Sequence, residues 1–276
     1  MIMIYLPLET LSQRFGIRAG LNYSTFSAPV ESGVSEKYSL TNGFHFGVNY
    51  AQQFAEFFSV KGEVVYVQYG TGYAYEGTSY YRISYRGSVI NETGNTMMNL
   101  KISNAYISVP ITAQFSVFDK FEINAGLYAN FLIQPRGAGQ LRFTSTDHPE
   151  EVYFRQTLEH NYYKDVAGGG SISGPTILVD KQPVQLYKNS GAYYQFLTSE
   201  IDGGLFNWFD FGLTGGVSYY FTKGFYGSVR YDYGLSDLTR NRMDPSRKSL
   251  DENGKFIFTY DFDRHTAIQF SLGFKF

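Results

Sequence analysis

The sequence predicts an all-β fold: a single eight-stranded antiparallel transmembrane β-barrel with long extracellular loops and short periplasmic turns. Three observations predict it. Eight segments alternate apolar and polar residues, their connections alternate between short and long, and aromatic residues mark both ends of the apolar faces. Strict alternation gives a strand one apolar face and one polar face. A barrel in lipid needs the apolar face outside and every strand edge paired.

Composition limits the alternatives. The 276 residues suffice for one large β domain or two small ones. The 25 Tyr, 25 Phe and 29 Gly, against 8 Pro, suit antiparallel sheets with wide loops. A net charge of −2 gives no strong field for nucleic acid. The absence of cysteine excludes disulfides and Cys-based metal sites.

No run of 18 apolar residues occurs in the sequence, so no transmembrane helix is predicted. The mean hydropathy of −0.25 does not argue against spanning strands, because half of their residues face inward. Residues 1–13 have a short apolar start without a basic region or a small-residue cleavage site. We expect them to be a leader or the remnant of a signal peptide, and residues 14–276 to form the barrel domain.

The first four predicted strands are residues 14–26, 43–51, 57–69 and 104–115. Their apolar faces include, in chain order, Phe15, Ile17 and Leu21; Phe44, Phe46 and Val48; Phe58, Val60 and Val64; and Ile107, Val109 and Ile111. The residues between them are mostly polar or glycine, as a water-facing or charge-filled interior requires.

The last four predicted strands are residues 120–133, 208–221, 224–235 and 268–276. Their apolar faces include Phe121, Ile123 and Leu127; Phe209, Phe211 and Leu213; Phe225, Val229 and Tyr231; and Ile268, Phe270 and Leu272. A soluble domain rarely presents an exposed apolar edge such as IQFSLGFKF, because that edge promotes aggregation. Closure of a barrel in lipid removes the edge.

The connections predict the orientation. Short ones lie at about 51–57, 116–120 and 222–224, and long ones at about 27–42, 70–103, 134–207 and 236–264. Tight turns on one rim and long loops on the other are typical of outer-membrane barrels. An even number of strands puts both termini on the short-turn, periplasmic side. Ten strands remain possible if residues 150–200 hold an extra hairpin.

Aromatic residues fall where an apolar band would end, as two girdles at the headgroup levels. The expected periplasmic girdle contains Phe15, Tyr50, Phe58, Phe115, Phe121, Phe221, Phe225 and Phe276. The expected outer girdle contains Tyr23, Phe44, Tyr66, Phe131, Phe209 and Tyr233.

Several motifs resemble the PorT-like outer-membrane barrels of the Bacteroidota. They are FGIRAGLNYSTF at 15–26, GEVVYVQYG at 62–70, AYISVPITAQF at 105–115, FDFGLTGGVSYYF at 209–221 and RYDYGLSDL at 230–238. The resemblance implies a small eight-stranded barrel and an outer-membrane location. The family's namesake is an accessory protein of type IX secretion, and most members have no assigned role. The third long loop is longer than the resemblance leads us to expect.

Charged residues on the inward faces predict a charge network in the lumen. They are Arg18, Lys61, Glu63, Glu122, Asp210, Arg230 and Asp232, with Lys275 at the end of the last strand. A narrow barrel is filled by side chains, and buried charges must be paired. We expect salt bridges that plug the lumen, centred on Glu63, Arg18 and Arg230. A proton or ion path is the alternative.

The long loops carry the expected binding residues. Possible lipopolysaccharide contacts are Arg240, Arg242, Arg247 and Lys248, because guanidinium and ammonium groups clamp phosphates. The possible partner-binding loop contains Tyr162, Tyr163, Tyr187, Tyr193, Tyr194 and Phe196. So many aromatic residues argue against disorder and predict a packed cap or a protein-binding surface.

The predicted function is a non-enzymatic binding or assembly component of the outer membrane, an accessory subunit of a secretion, uptake or surface complex. Its expected partners are outer-membrane lipid, lipopolysaccharide and other surface proteins, without nucleic acid. No cofactor is expected, and His45, His148 and His160 are too scattered for a metal site. The alternatives are a small-solute channel and a rim hydrolase using Asp263 and His265, although a solvated histidine at the rim is the expected reading.

Overall fold

The structure is a computed structural model that describes residues 13–29, 32–86, 88–118, 120–166, 170–171 and 173–276. Apart from Gln13, the expected leader lies outside these residues. The strands are β1 (Gln13–Ser27), β2 (Ser35–Ser39), β3 (Thr41–Ala55), β4 (Phe58–Tyr85), β5 (Ser88–Val117), β6 (Phe121–Ser145), β7 (Tyr153–Asn161), β8 (Gly170–Ser171), β9 (Thr176–Val179), β10 (Gln182–Gln185), β11 (Asn189–Ser190), β12 (Phe209–Tyr220), β13 (Phe225–Gly234), β14 (Arg247–Leu250), β15 (Phe256–Phe258) and β16 (Arg264–Lys275). Two 3-10 helices span Thr198–Glu200 and Asn241–Met243.

Eight of these strands pair antiparallel in a ring. The order β1-β3-β4-β5-β6-β12-β13-β16 returns to β1. The ring is uneven, because β4, β5 and β6 have 28, 30 and 25 residues whereas β13 has 10. Pairing on both sides of every strand satisfies the backbone hydrogen bonds that lipid cannot satisfy.

Alternation along β1 shows how the ring divides its side chains. Arg18 and Asn22 are buried inside, whereas Ile17 is 50% and Leu21 is 55% exposed on the outside. Aromatic rings meet across neighbouring strands at both ends of the apolar band. Examples are Phe15–Tyr50 and Phe58–Phe115, each with centroids 5.2 Å apart, at the short-turn end, and Phe131–Phe209, 5.5 Å, at the other.

The prediction of a long loop over residues 70–103 is wrong. β4 and β5 continue as one hairpin whose register runs from Phe58↔Phe115 to Tyr85↔Ser88. Beyond the barrel the apolar face of β4 points inward, as Tyr73, Tyr81 and Ile83 are buried. The prediction looked for apolar residues on the outside, so it missed a stretch in which the apolar and polar faces exchange.

The third and first long loops also contain sheet. β6 extends to Ser145 and pairs with β7, and β2 pairs with the extension of β4. Within residues 150–200, β9 and β10 form a separate two-stranded sheet, and β7 pairs with β6 and with the short β11. None of the eight ring strands comes from the described residues of that range.

These extensions and connections form a cap at the end of the barrel opposite the short turns. Its core is continuous with the upper lumen, in one cluster that includes Val65, Tyr69, Tyr162, Phe196 and Phe206. A second cluster packs around Tyr81, Phe143 and Phe154 in the hairpin's outer part. Among the described residues, no helix is long and apolar enough to cross a membrane.

The outward apolar face predicts a strong cost for a charge. Leu127 is 59% exposed midway between the aromatic ends of β6. We expect Leu127→Arg to lower the free energy of unfolding in lipid vesicles by about 2–4 kcal/mol, because the guanidinium enters hydrocarbon. Denaturant titration of the reconstituted protein measures this.

The matched control is Leu178→Arg, at a residue of β9 in the cap that is 39% exposed. In water this change is expected to cost at most about 0.5 kcal/mol. Equal effects of the two changes would show that the face around Leu127 does not meet lipid.

Candidate functional site

Glu63 lies at the centre of a buried ion cluster inside the ring. Its carboxylate has no exposed surface and is 2.7 Å from Arg18 Nε, 2.7 Å from Arg230 Nη2 and 3.0 Å from Lys61 Nζ. The four residues belong to β1, β4 and β13, so the cluster joins three strands across the lumen. A buried carboxylate needs such compensation, because burial removes the hydration of its charge.

Gln269 continues this network along the lumen. Its Oε1 accepts a hydrogen bond from Arg18 Nη1 at 2.9 Å, and its Nε2 donates to Asp232 Oδ2 at 2.6 Å and to Tyr69 Oη at 2.8 Å. Thr214 Oγ1 donates to the other oxygen of Asp232 at 2.6 Å. The amide faces a donor at one end and an acceptor at the other, so the network fixes its orientation.

Two further carboxylates lie near the two ends of the lumen, and the buried polar residues between them are called the polar column below. Glu122, toward the short turns, is 3.3 Å from Lys275 Nζ and accepts from Gln114 Nε2 at 2.7 Å. Asp210, toward the cap, accepts from Asn130 Nδ2 at 2.9 Å and lies 3.2 Å from His265 Nδ1. Each end of the polar column therefore has its own partners.

The structure places every predicted lumen charge inside the ring, each at most 5% exposed: Arg18, Lys61, Glu63, Glu122, Asp210, Arg230 and Asp232. It brings Arg18, Lys61, Glu63 and Arg230 into one cluster, links Asp232 to it through Gln269, and leaves Glu122 and Asp210 in separate contacts. With Lys275 these are four basic and four acidic side chains, whose formal charges cancel. Such an arrangement can fill a lumen and hold strands together.

Two of the predicted lipopolysaccharide contacts are used inside the protein. Arg240 Nη1 donates to the carbonyl of Asp202 at 2.7 Å. Arg242 donates to the carbonyls of Glu200 and Asp202. These arginines therefore tie down the segment before β12. Their contact with phosphates stays a prediction. Arg247 and Lys248 belong to β14 by backbone, and their side chains lie outside the described residues.

The predicted partner-binding loop is mostly interior. Tyr162, Tyr193 and Phe196 are 2%, 5% and 7% exposed within the core of the cap. Tyr187 and Tyr194 are half-buried, and their rings are 5.5 Å apart. Of the six residues, only Tyr163 is well exposed, at 53%. The aromatic residues therefore form a packed cap, and Tyr163 alone of the six is exposed enough to contact a partner.

The rim hydrolase finds no support in the geometry. His265 is 1% exposed in the lumen, where Nε2 is 3.2 Å from Tyr128 Oη, so the expectation of a solvated rim histidine is wrong. Asp263 instead lines a cavity in the cap that His265 does not reach. Among the described residues, no group of three His, Asp or Glu side chains is arranged to hold a metal ion.

Sequence reasoning missed an ion pair that organises the cap. The guanidinium of Arg82, on β4, forms a bidentate contact with Glu200 in the first 3-10 helix and lies 3.7 Å above the ring of Phe256. Burial acts to raise the pKa of Glu200, but the hydrogen bonds from Arg82 and from the Leu197 and Phe256 N–H groups keep it below the usual value. The partners are 118 residues apart, so no local pattern could have paired them.

Asp263 is a second residue of the cap whose environment the sequence did not predict. Burial raises its pKa to about 6, against the effect of the hydrogen bond from Thr239, and nearby Asp237 and Asp244 add to the increase. His160, also in the cap, has its pKa lowered to about 4 by burial. The protonation of both groups is therefore coupled to the packing of the cap.

A family model described as an outer membrane protein β-barrel domain matches residues 10–240 of the chain. The chain belongs to this family and is an outer-membrane β-barrel protein. The prediction of an all-β barrel in the outer membrane is confirmed. Among curated proteins, none matches the chain.

Solved outer-membrane proteins are similar at low identity. The attachment invasion locus protein Ail of Yersinia pestis is 14% identical over 95% of this chain and 98% of its own, with a TM-score of 0.36. Neisserial surface protein A is 11% identical over 95% and 97%, with a TM-score of 0.38. OprG of Pseudomonas aeruginosa is 9% identical over 96% and 97%, with a TM-score of 0.36. These values are too low to indicate what this chain binds.

The ion cluster predicts a large cost for removing its carboxylate. In Glu63→Gln three buried cations lose their counter-charge, and we expect the free energy of unfolding to fall by about 3–5 kcal/mol. Glu76→Gln is the control, because Glu76 lies exposed on the same strand. Denaturant titration in vesicles compares them; coincident transitions would mean that the cluster does not stabilise the barrel.

The raised pKa of Asp263 predicts a pH effect of defined sign. Between its ordinary value of 3.8 and about 6 the folded state binds the proton more tightly than the unfolded state. The contribution of Asp263 therefore falls as the pH rises through this window and stays constant above it. We expect Asp263→Asn to be more stable than the native chain by on the order of 2–3 kcal/mol at neutral pH and equal to it near pH 4.

His160 has the opposite effect in an overlapping window, because its lowered pKa makes stability rise with pH. Both the native protein and Asp263→Asn contain His160, so its contribution cancels in the difference between their free energies of unfolding. Melting followed by hydrogen exchange of cap amides measures that difference; a difference that does not change with pH would contradict the account of Asp263.

Proposed function

We propose that the protein is a non-enzymatic binding or assembly component of the outer membrane, an accessory subunit of a secretion, uptake or surface complex. The eight strands of the ring cross the membrane, both ends of the barrel chain lie on the periplasmic side with the short turns, and the cap lies outside. The motifs that resemble PorT-like barrels of the Bacteroidota favour this accessory role.

One observation carries the proposal: the lumen is filled at the level of Glu63, while β4, β5 and β6 continue beyond the barrel into a cap with its own core. A filled lumen favours an anchor over a passage. Extended strands are costly to order, and the packed cap that they support offers a rigid surface for recognition.

The cap also supplies candidate contacts. Tyr163 is 53% and Tyr260 is 76% exposed, and tyrosine is enriched in protein interfaces. Arg247 and Lys248 remain the candidates for lipopolysaccharide phosphates, because Arg240 and Arg242 already bind backbone carbonyls. Outer-membrane lipid and another surface protein are therefore the expected partners.

Isolation of the native protein in mild detergent tests this function. We expect a protein to co-elute in stoichiometric amount. A variant in which residues 146–207 are replaced by a short Gly-Ser linker should lose it, while heat-modifiable migration on gels shows that the barrel still folds. A native protein that elutes alone would contradict the accessory role.

Planar-bilayer recording of the same preparation separates the anchor from the alternative of a small-solute channel. We expect no conductance steps, because the ion cluster fills the lumen. Steady conductance in the native protein that changes in Glu63→Gln would identify a transport barrel instead.

A further inference from the structure

The cap contains a cavity of about 110 Å³ that the proposed function does not use. It lies above the lumen, between the extensions of β4 to β6 and the segment that precedes β16. Its walls are largely apolar, with Met98, Leu100, Ile102 and Leu158 among them. All four side chains are at most 9% exposed, so the cavity is bounded by the core of the cap.

One side of this cavity is acidic. Glu36, Asp244, Asp261 and Asp263 line it. Arg242 also lines the cavity, and the N–H groups of its guanidinium donate to the carbonyls of Glu200 and Asp202.

Asp263 supplies a second, independent observation. It is 5% exposed, and its Oδ2 accepts a hydrogen bond from Thr239 Oγ1. Its Oδ1 is buried and has no hydrogen-bond partner. A buried, unpartnered carboxylate oxygen is costly, so a cationic donor that reached it from the cavity would gain an uncontested hydrogen bond.

Aromatic rings stand beside the acids. Tyr38 and Tyr73 lie with ring centroids 5.1 Å apart and planes tilted by 42°. Phe26 and Phe196 also line the cavity. Electron-rich ring faces attract cations, and apolar walls favour a ligand with a hydrocarbon body.

From this combination we infer that the cap cavity binds a small organic cation, an ammonium group on an apolar or aromatic body, with the ammonium at Asp263. A metal ion is a poorer fit, because no described group of three His, Asp or Glu side chains is arranged to hold one. A cavity of about 110 Å³ has room for roughly seven to eleven water-sized groups, at about 10–15 Å³ each.

This ligand site goes beyond the proposed function and does not depend on it. A protein partner binds the outside of the cap, whereas the cation enters it. Failure to bind a cation would not change the expected result of the co-elution experiment. Absence of a protein partner would not change the expected binding of a cation.

Titration calorimetry on the intact protein tests the inference with benzylamine and its neutral analogue benzyl alcohol. The detergent must be a maltoside, since choline-headed detergents carry a competing ammonium. The buffer must lie above the pKa of about 6 that burial gives Asp263. We expect benzylamine to bind at least about tenfold more tightly than benzyl alcohol, since charge-assisted hydrogen bonding and cation–π contact act only on the amine.

Asp263→Asn keeps the shape of the side chain and removes its charge. We expect it to weaken benzylamine about tenfold or more and to leave benzyl alcohol unchanged. Asp251→Asn is the matched control, because Asp251 lies in the β14–β15 turn and does not line the cavity. It should bind benzylamine like the native protein.

Three results would overturn the inference: no binding of benzylamine to the native protein, equal affinity for benzyl alcohol, or unchanged affinity in Asp263→Asn. Leu100→Phe provides a second test, since the larger side chain enters the cavity and should reduce binding of the amine. Unchanged binding in that variant would also place the ligand elsewhere.

Discussion

The compensation of one buried carboxylate governs the architecture of the barrel. Glu63 is stable inside the ring only because Arg18 from β1, Lys61 from its own strand and Arg230 from β13 converge on it. Convergence from three strands requires a closed ring with a fixed register, since a shift of one residue would turn these charges toward lipid. The polar interior and the apolar exterior are thus two consequences of one alternation.

The same strands must serve a second environment beyond the membrane, and β4 shows how they do so. Lys61 and Glu63 face inward in the barrel, and Val65, Val67 and Tyr69 follow them on the same face. The inward face thus changes from charged to apolar within a few residues, without any change in strand geometry. The hydrocarbon contact on the outside of the barrel is replaced by a hydrophobic core on the inside of the cap, so one sheet is continuous across both environments.

This change of face explains what the sequence could reveal. The barrel portions of the strands follow from alternation with apolar residues outside, and the short turns follow from the spacing between segments. Glu63, Arg18 and Arg230 occupy the alternating positions that face inward, so their location follows from the sequence. In a narrow lumen such charges lie close enough to contact one another. In the cap, alternation continues with the opposite phase, and tyrosine marks core instead of surface. The pairing of Arg82 with Glu200 depends on tertiary folding alone.

The partners of the buried carboxylates differ between the lumen and the cap. In the lumen four basic and four acidic side chains meet, and Glu63, Asp232 and Asp210 each contact several partners. A carboxylate held by several donors has little to gain from a ligand. Two residues before His265 enters that network, Asp263 lines the cap cavity with one carboxylate oxygen unpartnered. Binding free energy comes from interactions that the free protein lacks, so a small cation gains more at the carboxylate of Asp263 than at the carboxylates of the lumen.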